Sequence, residues 1–264
     1  MNNILIIDTC YTVFFRFNAA KRWFSFSESE DYNSLVDNDS WLSNNKFKDK
    51  YELMFSKGIE KHIKKYNITD ILWVQDDSTE NVWRTKIFPE YKQGRDESKC
   101  KSENVFSYTF NTFLPKYFKE NKLKNIKVSG AEADDIIAIT TKYLTKKKYN
   151  CIVVTSDTDF IQLINDNVTL VDLKLKEIES KISPKVDLEL KIIKGDKSDN
   201  IPSIKNRIGE KTALNYINNK PLFEKLLEDN NINEQYKKNR LLIDFDYIPK
   251  ELKNKILKKL EKIF

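Results

Sequence analysis

Apolar residues along the chain fall into two patterns. Short, nearly continuous runs rich in Ile, Leu and Val read as buried strands. They are "NILIID" at 3–8, "DILWVQD" at 70–76, "NIKVSG" at 125–130, "YNCIVVTSD" at 149–157 and "DNVTLVDL" at 166–173. Between them the apolar positions recur at helical spacing. One such segment runs from Tyr11 to Phe24, and a second, 50–66, carries Leu53, Phe55, Ile59 and Ile63. Residues 103–121 and 131–147 give two more. Residues 27–45, "SESEDYNSLVDNDSWLSNN", are acidic and rich in Ser and Asn, which predicts a mobile loop. From Val186 onward the pattern predicts short helices separated by turns, ending in a Lys-rich amphipathic helix after Pro249.

Strand and helix alternate through the first two thirds of the chain. This predicts an α/β fold with a mostly parallel sheet flanked by helices, spanning 1–185, and a smaller helical module at 186–264. In such sheets, ligands bind at the carboxyl ends of the strands. Three of the predicted strands end in an acid there: Asp8, Asp76 and Asp157.

Composition narrows the chemistry. The only histidine is His62, which removes His-based triads and most His-ligated metal sites. Cys10, Cys100 and Cys151 form no CxxC pair, which fits a reducing intracellular compartment such as the cytoplasm. No apolar run is long enough to span a membrane, and the N-terminal "MNNILIIDTC" reads as a buried strand and not a signal peptide. There is no P-loop motif. The chain of 264 residues has a net charge of +6. If many of its acids gather on metal ions, the remaining surface is strongly basic and suits a polyanion such as nucleic acid.

The acids do gather in the sequence. Glu132, Asp134 and Asp135 open one predicted helix, Asp157 and Asp159 follow a strand, and Asp196 and Asp199 share a loop. Each group has a bland reading: first-turn acids favoured by the helix dipole, or a turn cap. On one common edge, with Asp8 and Asp76, they repel unless cations are present. Oxygen-only donors suit Mg²⁺ or Mn²⁺, and two such ions can activate water against a phosphodiester. Asp77 competes with Asp76 as the ligand after the second strand.

"GAEADDIIA", "VVTSDTDFIQL" and "KGDKSDNIPS…IGEKTA", with upstream "LIIDT" and "WVQDDSTENVWRTKIFPEYKQGR", resemble the 5′ nuclease (flap endonuclease) superfamily. The resemblance is strongest to stand-alone viral or phage ribonuclease H-type 5′-3′ exonucleases. It implies a PIN-like (Rossmann-like) domain with a helical arch at about 80–122 and a C-terminal helix–three-turn–helix module. It places Asp8, Asp76, Glu132 and Asp134 around a first metal and Asp135 between two metals. Asp157, Asp159 and Asp199 hold the second, with Asp196 a further candidate. Mg²⁺ is the implied ion, with Mn²⁺ as substitute.

The same resemblance implies that Lys92, Arg95 and Arg84 serve the scissile phosphate and that Tyr91 stacks on a base. Arg16 is a further phosphate contact. In the helical module, Lys205, Arg207, Gly209, Lys211 and Thr212 would bind DNA, with K⁺ held by main-chain carbonyls. Ser203 stands where the family usually has Gly. The implied substrates are DNA with a 5′ flap, nick, gap or free 5′ end, and RNA primers on DNA. A monomer working beside replication proteins, and away from membranes, is expected. Two other readings share some of these features. A PIN-type ribonuclease on single-stranded RNA would lack the "SDNIP…GEKTA" module, and a non-catalytic junction-binding protein would lack some of the acids.

Overall fold

The computed structural model describes residues 2–27, 29–37, 39–78, 81–93 and 103–264. The chain opens with β1 (Asn2–Asp8), α1 (Thr9–Ser27), α2 (Ser29–Asp37), α3 (Asn45–Ser56) and α4 (Glu60–Lys65). β2 (Asp70–Gln75), α5 (Trp83–Ile87), α6 (Glu103–Tyr108) and α7 (Leu114–Glu120) follow, with a π-helical segment, Thr109–Phe113, between the last two. Next come β3 (Lys124–Lys127), α8 (Ala133–Lys146), β4 (Tyr149–Val154), β5 (Val168–Val171) and β6 (Glu177–Ile178). The helical part comprises α9 (Pro184–Lys194), α10 (Glu210–Asn218), α11 (Lys220–Leu227), α12 (Asn230–Ile243) and α13 (Lys250–Ile263).

The six strands are ordered β3-β2-β1-β4-β5-β6. The first five are parallel, and β6 adds an antiparallel edge too short to be read from the sequence. Strand order reverses between β1 and β4, so the carboxyl ends of these two central strands flank a crevice. The apolar runs are explained by burial on both faces. Ile4, Ile6, Leu72, Val74 and Val153 pack on one side with α8 and α13. Leu5, Ile7, Trp73, Ile152 and Val154 pack on the other with Val13 and Phe55.

Several local expectations are corrected. Residues 27–45 are not an open loop: α2 and a 3₁₀ turn, Trp41–Ser43, lie there. Leu35 and Trp41 are buried against Phe17, Phe24, Phe47 and Tyr51. So few apolar residues in a polar stretch leave no periodicity, and only the tertiary partners reveal their role. The helix expected over 50–66 is two helices, with the break at Lys57–Ile59, and Leu53 is exposed. β4 stops at Val154, and Asp157 instead caps the 3₁₀ turn Thr158–Leu163 by accepting the Asp159 N–H at 2.8 Å.

The expected division at 185/186 falls inside α9, which is capped by Ser183. The C-terminal segment then returns to the sheet. Leu252, Ile256 and Leu260 form one buried stripe of α13 in the same core as β1 and α8. Each such burial contributes roughly 1.5–3 kcal/mol. No helix among the described residues is long and apolar enough to cross a membrane.

Candidate active site

A cleft of about 380 Å³ opens at the carboxyl ends of β1, β2 and β4. Asp8, Asp76, Glu132, Asp134 and Asp157 line it, together with Lys92 and Cys10. The local sequence explains each position. Asp8 ends β1, and its Oδ1 accepts the Tyr11 N–H at 3.0 Å, starting α1. Asp76 follows β2 and accepts the Ala133 N–H at 2.8 Å, tying that strand to the start of α8. Its neighbour Asp77 accepts the Gly130 N–H at 2.9 Å and pairs with Lys127, so it braces the turn before α8. That bond lowers the Asp77 pKa. Both residues line the cleft; Asp76 stands close to Asp8 and Glu132, whereas Asp77 accepts from the turn before α8.

The electrostatics record that crowding. Burial, then Asp76 and Asp157, push the Asp8 carboxyl up to about 7. Burial raises Asp76 as well, and Glu132 adds to it. Asp134 is raised well above the ordinary carboxylate range by burial and by Asp157, Glu132 and Asp76. Burial also raises Asp157, with Asp199 and Asp196 contributing. Carboxylates held together against their own repulsion suit a hard divalent cation.

Glu132 behaves differently. It caps α8 and receives Arg84 Nη1 at 2.6 Å, the Tyr91 hydroxyl at 3.1 Å and the Lys92 ammonium. Burial opposes its charge, but Lys92 and Arg84 overcome that cost and hold its pKa below the usual range.

A second cluster lies beside the cleft. Carboxylate oxygens of Asp159, Asp196 and Asp199 fall within 4.8 Å of one another. Asp196 precedes the 3₁₀ turn Lys197–Asp199 and accepts the Ser198 N–H at 2.8 Å. Lys191 of α9 pairs with both Asp159 and Asp196, the latter at 2.7 Å. Lys191 had no signal in the sequence, since one lysine in a basic amphipathic helix looks like any other.

Burial places several of the residues assigned by the resemblance within the protein. Asp135 is fully buried, bonded by Trp83 Nε1 at 3.0 Å and the Glu132 N–H at 3.1 Å, and paired with Arg84 Nη2 at 2.8 Å. It completes the capping box of α8 and does not line the cleft. Arg84 is 2% exposed and also donates Nε–H to the Leu242 carbonyl at 2.8 Å. It clamps α5, α8 and α12 and presents no free face to a phosphate. Tyr91 is buried, so it cannot stack on a base; its hydroxyl bridges the two acidic clusters. Arg16 donates to the Gly58 carbonyl at 2.6 Å and closes the α3–α4 junction. A Cβ at Gly58 would come within 2.5 Å of the Arg16 guanidinium, so a larger residue there would push the Arg16 side chain aside.

Lys92 remains at the rim, in a left-handed backbone conformation, with its N–H on the Asp199 carbonyl at 3.0 Å. Arg95 and the middle of the expected arch, 94–102, lie outside the described residues. In the helical module, Lys205, Arg207, Gly209, Lys211 and Thr212 are all exposed around the start of α10. Gly209 caps α10 with open space where a Cβ would stand, and Arg207 takes a left-handed conformation in the preceding turn.

This arrangement of a mostly parallel sheet with acids at its central strand ends has known counterparts. The family model of the 5′-3′ exonuclease N-terminal resolvase-like domain matches residues 3–189, and the chain belongs to that family. It is 36% identical over 159 residues to a 5′-3′ exonuclease of Buchnera aphidicola subsp. Schizaphis graminum, covering 57% of this chain and 53% of that protein. It is 29% identical over 222 residues to ribonuclease H of Enterobacteria phage T4, covering 75% and 71%. The chain spans about half the length of the Buchnera relative. Among solved structures, a phage T5 protein co-crystallised with metal ions superposes with a TM-score of 0.71 at 20% identity, covering 99% of each chain. A bacteriophage T5 flap endonuclease complex with DNA and metal ions gives a TM-score of 0.64 at 20% identity, again covering 99% of each. The fold is PIN-like.

Proposed function

We propose that this chain is a divalent-metal-dependent 5′-3′ exonuclease and flap endonuclease. It hydrolyses phosphodiester bonds in DNA, and in RNA primers annealed to DNA, selecting structure over sequence. One observation carries the reading: Asp8, Asp76, Asp134 and Asp157 share a cleft, and Asp159, Asp196 and Asp199 adjoin it. The all-oxygen donor set fits Mg²⁺, with Mn²⁺ as substitute. Held by these carboxylates, two such ions would supply an activated water and charge stabilisation at the leaving oxygen of a phosphodiester, consistent with a 5′-phosphate product. The family match over residues 3–189 supports the same chemistry.

The remaining work falls to the chain's own residues. Lys92 brings a cation to the rim, where a scissile phosphate would meet the acids, and Glu132 holds it in place. Glu132 is in turn fixed by Arg84 and Tyr91, so the rim lysine stands on a rigid support. The open start of α10 offers backbone N–H groups to duplex phosphates, and exposed Lys205, Arg207 and Lys211 surround it. Carbonyls of the same turn would hold K⁺. The protein acts as a monomer in primer removal or repair.

The test is a 5′-labelled flap duplex with Mg²⁺, Mn²⁺ or EDTA, comparing wild type with Asp157→Asn. Asn preserves the cap on the 3₁₀ turn while removing the charge. Cutting near the junction that needs metal and vanishes in the variant, with binding retained, supports the reading. Binding without cutting by wild type in both metals would make it a non-catalytic junction-binding protein.

A further inference from the structure

The two acidic clusters differ in what neutralises them. In the cleft, the carboxylates of Asp8, Asp76, Asp134 and Asp157 crowd one another, and the nearby Lys92 ammonium is paired with Glu132 and not with these four. In the second cluster an ammonium group already lies among the acids. Lys191 reaches from α9 to Asp159 Oδ1 and to Asp196 Oδ2, the latter at 2.7 Å. Those oxygens belong to the residues that, with Asp199, come within 4.8 Å of one another. The ammonium thus engages the carboxylates that would otherwise receive a cation.

The lysine also has somewhere to go. A cavity of about 250 Å³ adjoins the cluster and is lined by Lys191, Gln162, Lys194 and Glu210. Glu210, in the first turn of α10, is an acid within that space, paired with Lys194 at 3.3 Å. The Lys191 side chain is partly exposed, so its ammonium can move without leaving an unsolvated charge.

We propose that Lys191 is a built-in counter-ion of the second cluster, holding Asp159 and Asp196 until a divalent cation displaces it. The consequence is ordered loading. The cleft takes its cation first, and the second cluster fills at higher metal concentration because entry must evict the ammonium. The inference rests on the proposed reading of the acids as metal ligands. It adds a residue that contributes no donor atom and yet sets the affinity of a site.

The experiment is a Mn²⁺ titration of the metal-free protein, followed by electron paramagnetic resonance and calorimetry without DNA. It compares wild type, Lys191→Met and Lys191→Arg, with circular dichroism confirming the fold of each. Wild type should bind Mn²⁺ in a tight and a weak class. Lys191→Met should tighten the weak class by about tenfold, since a unit charge a few ångströms away is removed, and change the tight class much less, because Lys191 pairs directly with Asp159 and Asp196 and acts on Asp157 only from further off. Lys191→Arg should keep the weak class near wild type. Without metal, Lys191→Met should melt at lower temperature than wild type, and Mn²⁺ should restore it more than it stabilises wild type. A weak class that is unchanged or weakened in Lys191→Met overturns the proposal, because a lysine that merely positions the acids would support metal binding. Failure of wild type to bind Mn²⁺ at all overturns the reading of the acids themselves, a separate outcome.

Discussion

The hydroxyl of Tyr91 lies 3.0 Å from Asp199 and 3.1 Å from Glu132, residues on the helical module and at the start of α8. One buried phenol thus joins the two acidic clusters, and burial beside Glu132 raises its pKa far above the ordinary value. Tyr91→Phe keeps the ring and removes both bonds. It should cost about 1–3 kcal/mol in urea unfolding, as expected when hydrogen bonds to buried charges are lost. A base-stacking role predicts the opposite pattern, unchanged stability in Phe and loss of DNA affinity only in Ala.

Arg84 makes a second structural claim against a catalytic one. Its guanidinium serves Glu132, Asp135 and the Leu242 carbonyl with hardly any exposure. Arg84→Met leaves buried Asp135 without its cation and Glu132 with Lys92 alone, and should destabilise the protein by about 3–5 kcal/mol. Arg84→Lys should recover little, because a point charge cannot reproduce three directed contacts. Denaturant unfolding of both variants checks this. Full stability in Arg84→Met would return the residue to phosphate binding.

How much of this could be read from the sequence depended on whether a residue's role is local. Asp8 and Asp76 were legible because an apolar strand followed by an acid is a local pattern, and parallel topology then brings such ends together. Asp134 and Asp135 show the limit. They are neighbours on one helix, yet Asp134 meets the other acids and Asp135 turns inward to Trp83 and Arg84. No one-dimensional pattern says which face of the first turn is which until α5 is placed. Tyr91, Arg84 and Arg16, which the resemblance assigns to the substrate, are bonded within the protein. Basic and aromatic residues beside an acidic motif look like substrate contacts, and only burial shows that their partners lie within the protein. Trp41 and Leu35 illustrate the same loss in the core, since tertiary packing orders a segment whose own sequence reads as loop.

The crowded acids make stability depend on pH in a defined direction. Asp8, Asp76, Asp134 and Asp157 all have raised pKa values in the folded chain, Asp8 at about 7. Between the unfolded carboxylate value and 7 the folded state therefore holds more protons than the unfolded one. Stability from these groups is greatest at low pH and is lost as pH rises through that window. Glu132 and Asp196 have lowered values and oppose the trend only in more acidic solution. In EDTA, the melting temperature should thus fall from pH 5 to pH 8. With saturating Mg²⁺ the fall should flatten or reverse, and binding near pH 6 should release protons measurable by calorimetry in two buffers. A melting temperature that rises with pH in EDTA would contradict the crowding.

The helical module makes the last separable prediction. Lys205, Arg207 and Lys211 are exposed around the open start of α10, away from the cleft lining. If they meet the duplex backbone as proposed, they carry charge without reading sequence, and each would release about one condensed counterion from the duplex. Replacing any one by Ala should weaken binding to all duplexes alike and reduce the salt dependence of log K by about one unit. Stability should stay within about 0.5 kcal/mol, because surface lysines and arginines have little packing to lose. The kinetic consequence distinguishes this module from the metal site. KM for a flap substrate should rise while kcat holds, since the acids that meet the scissile phosphate are untouched. Asp157→Asn should do the reverse, leaving binding intact and removing turnover. If Lys211→Ala lowered kcat with KM unchanged, the start of α10 would have to act on the reacting phosphate and not on the duplex beyond it.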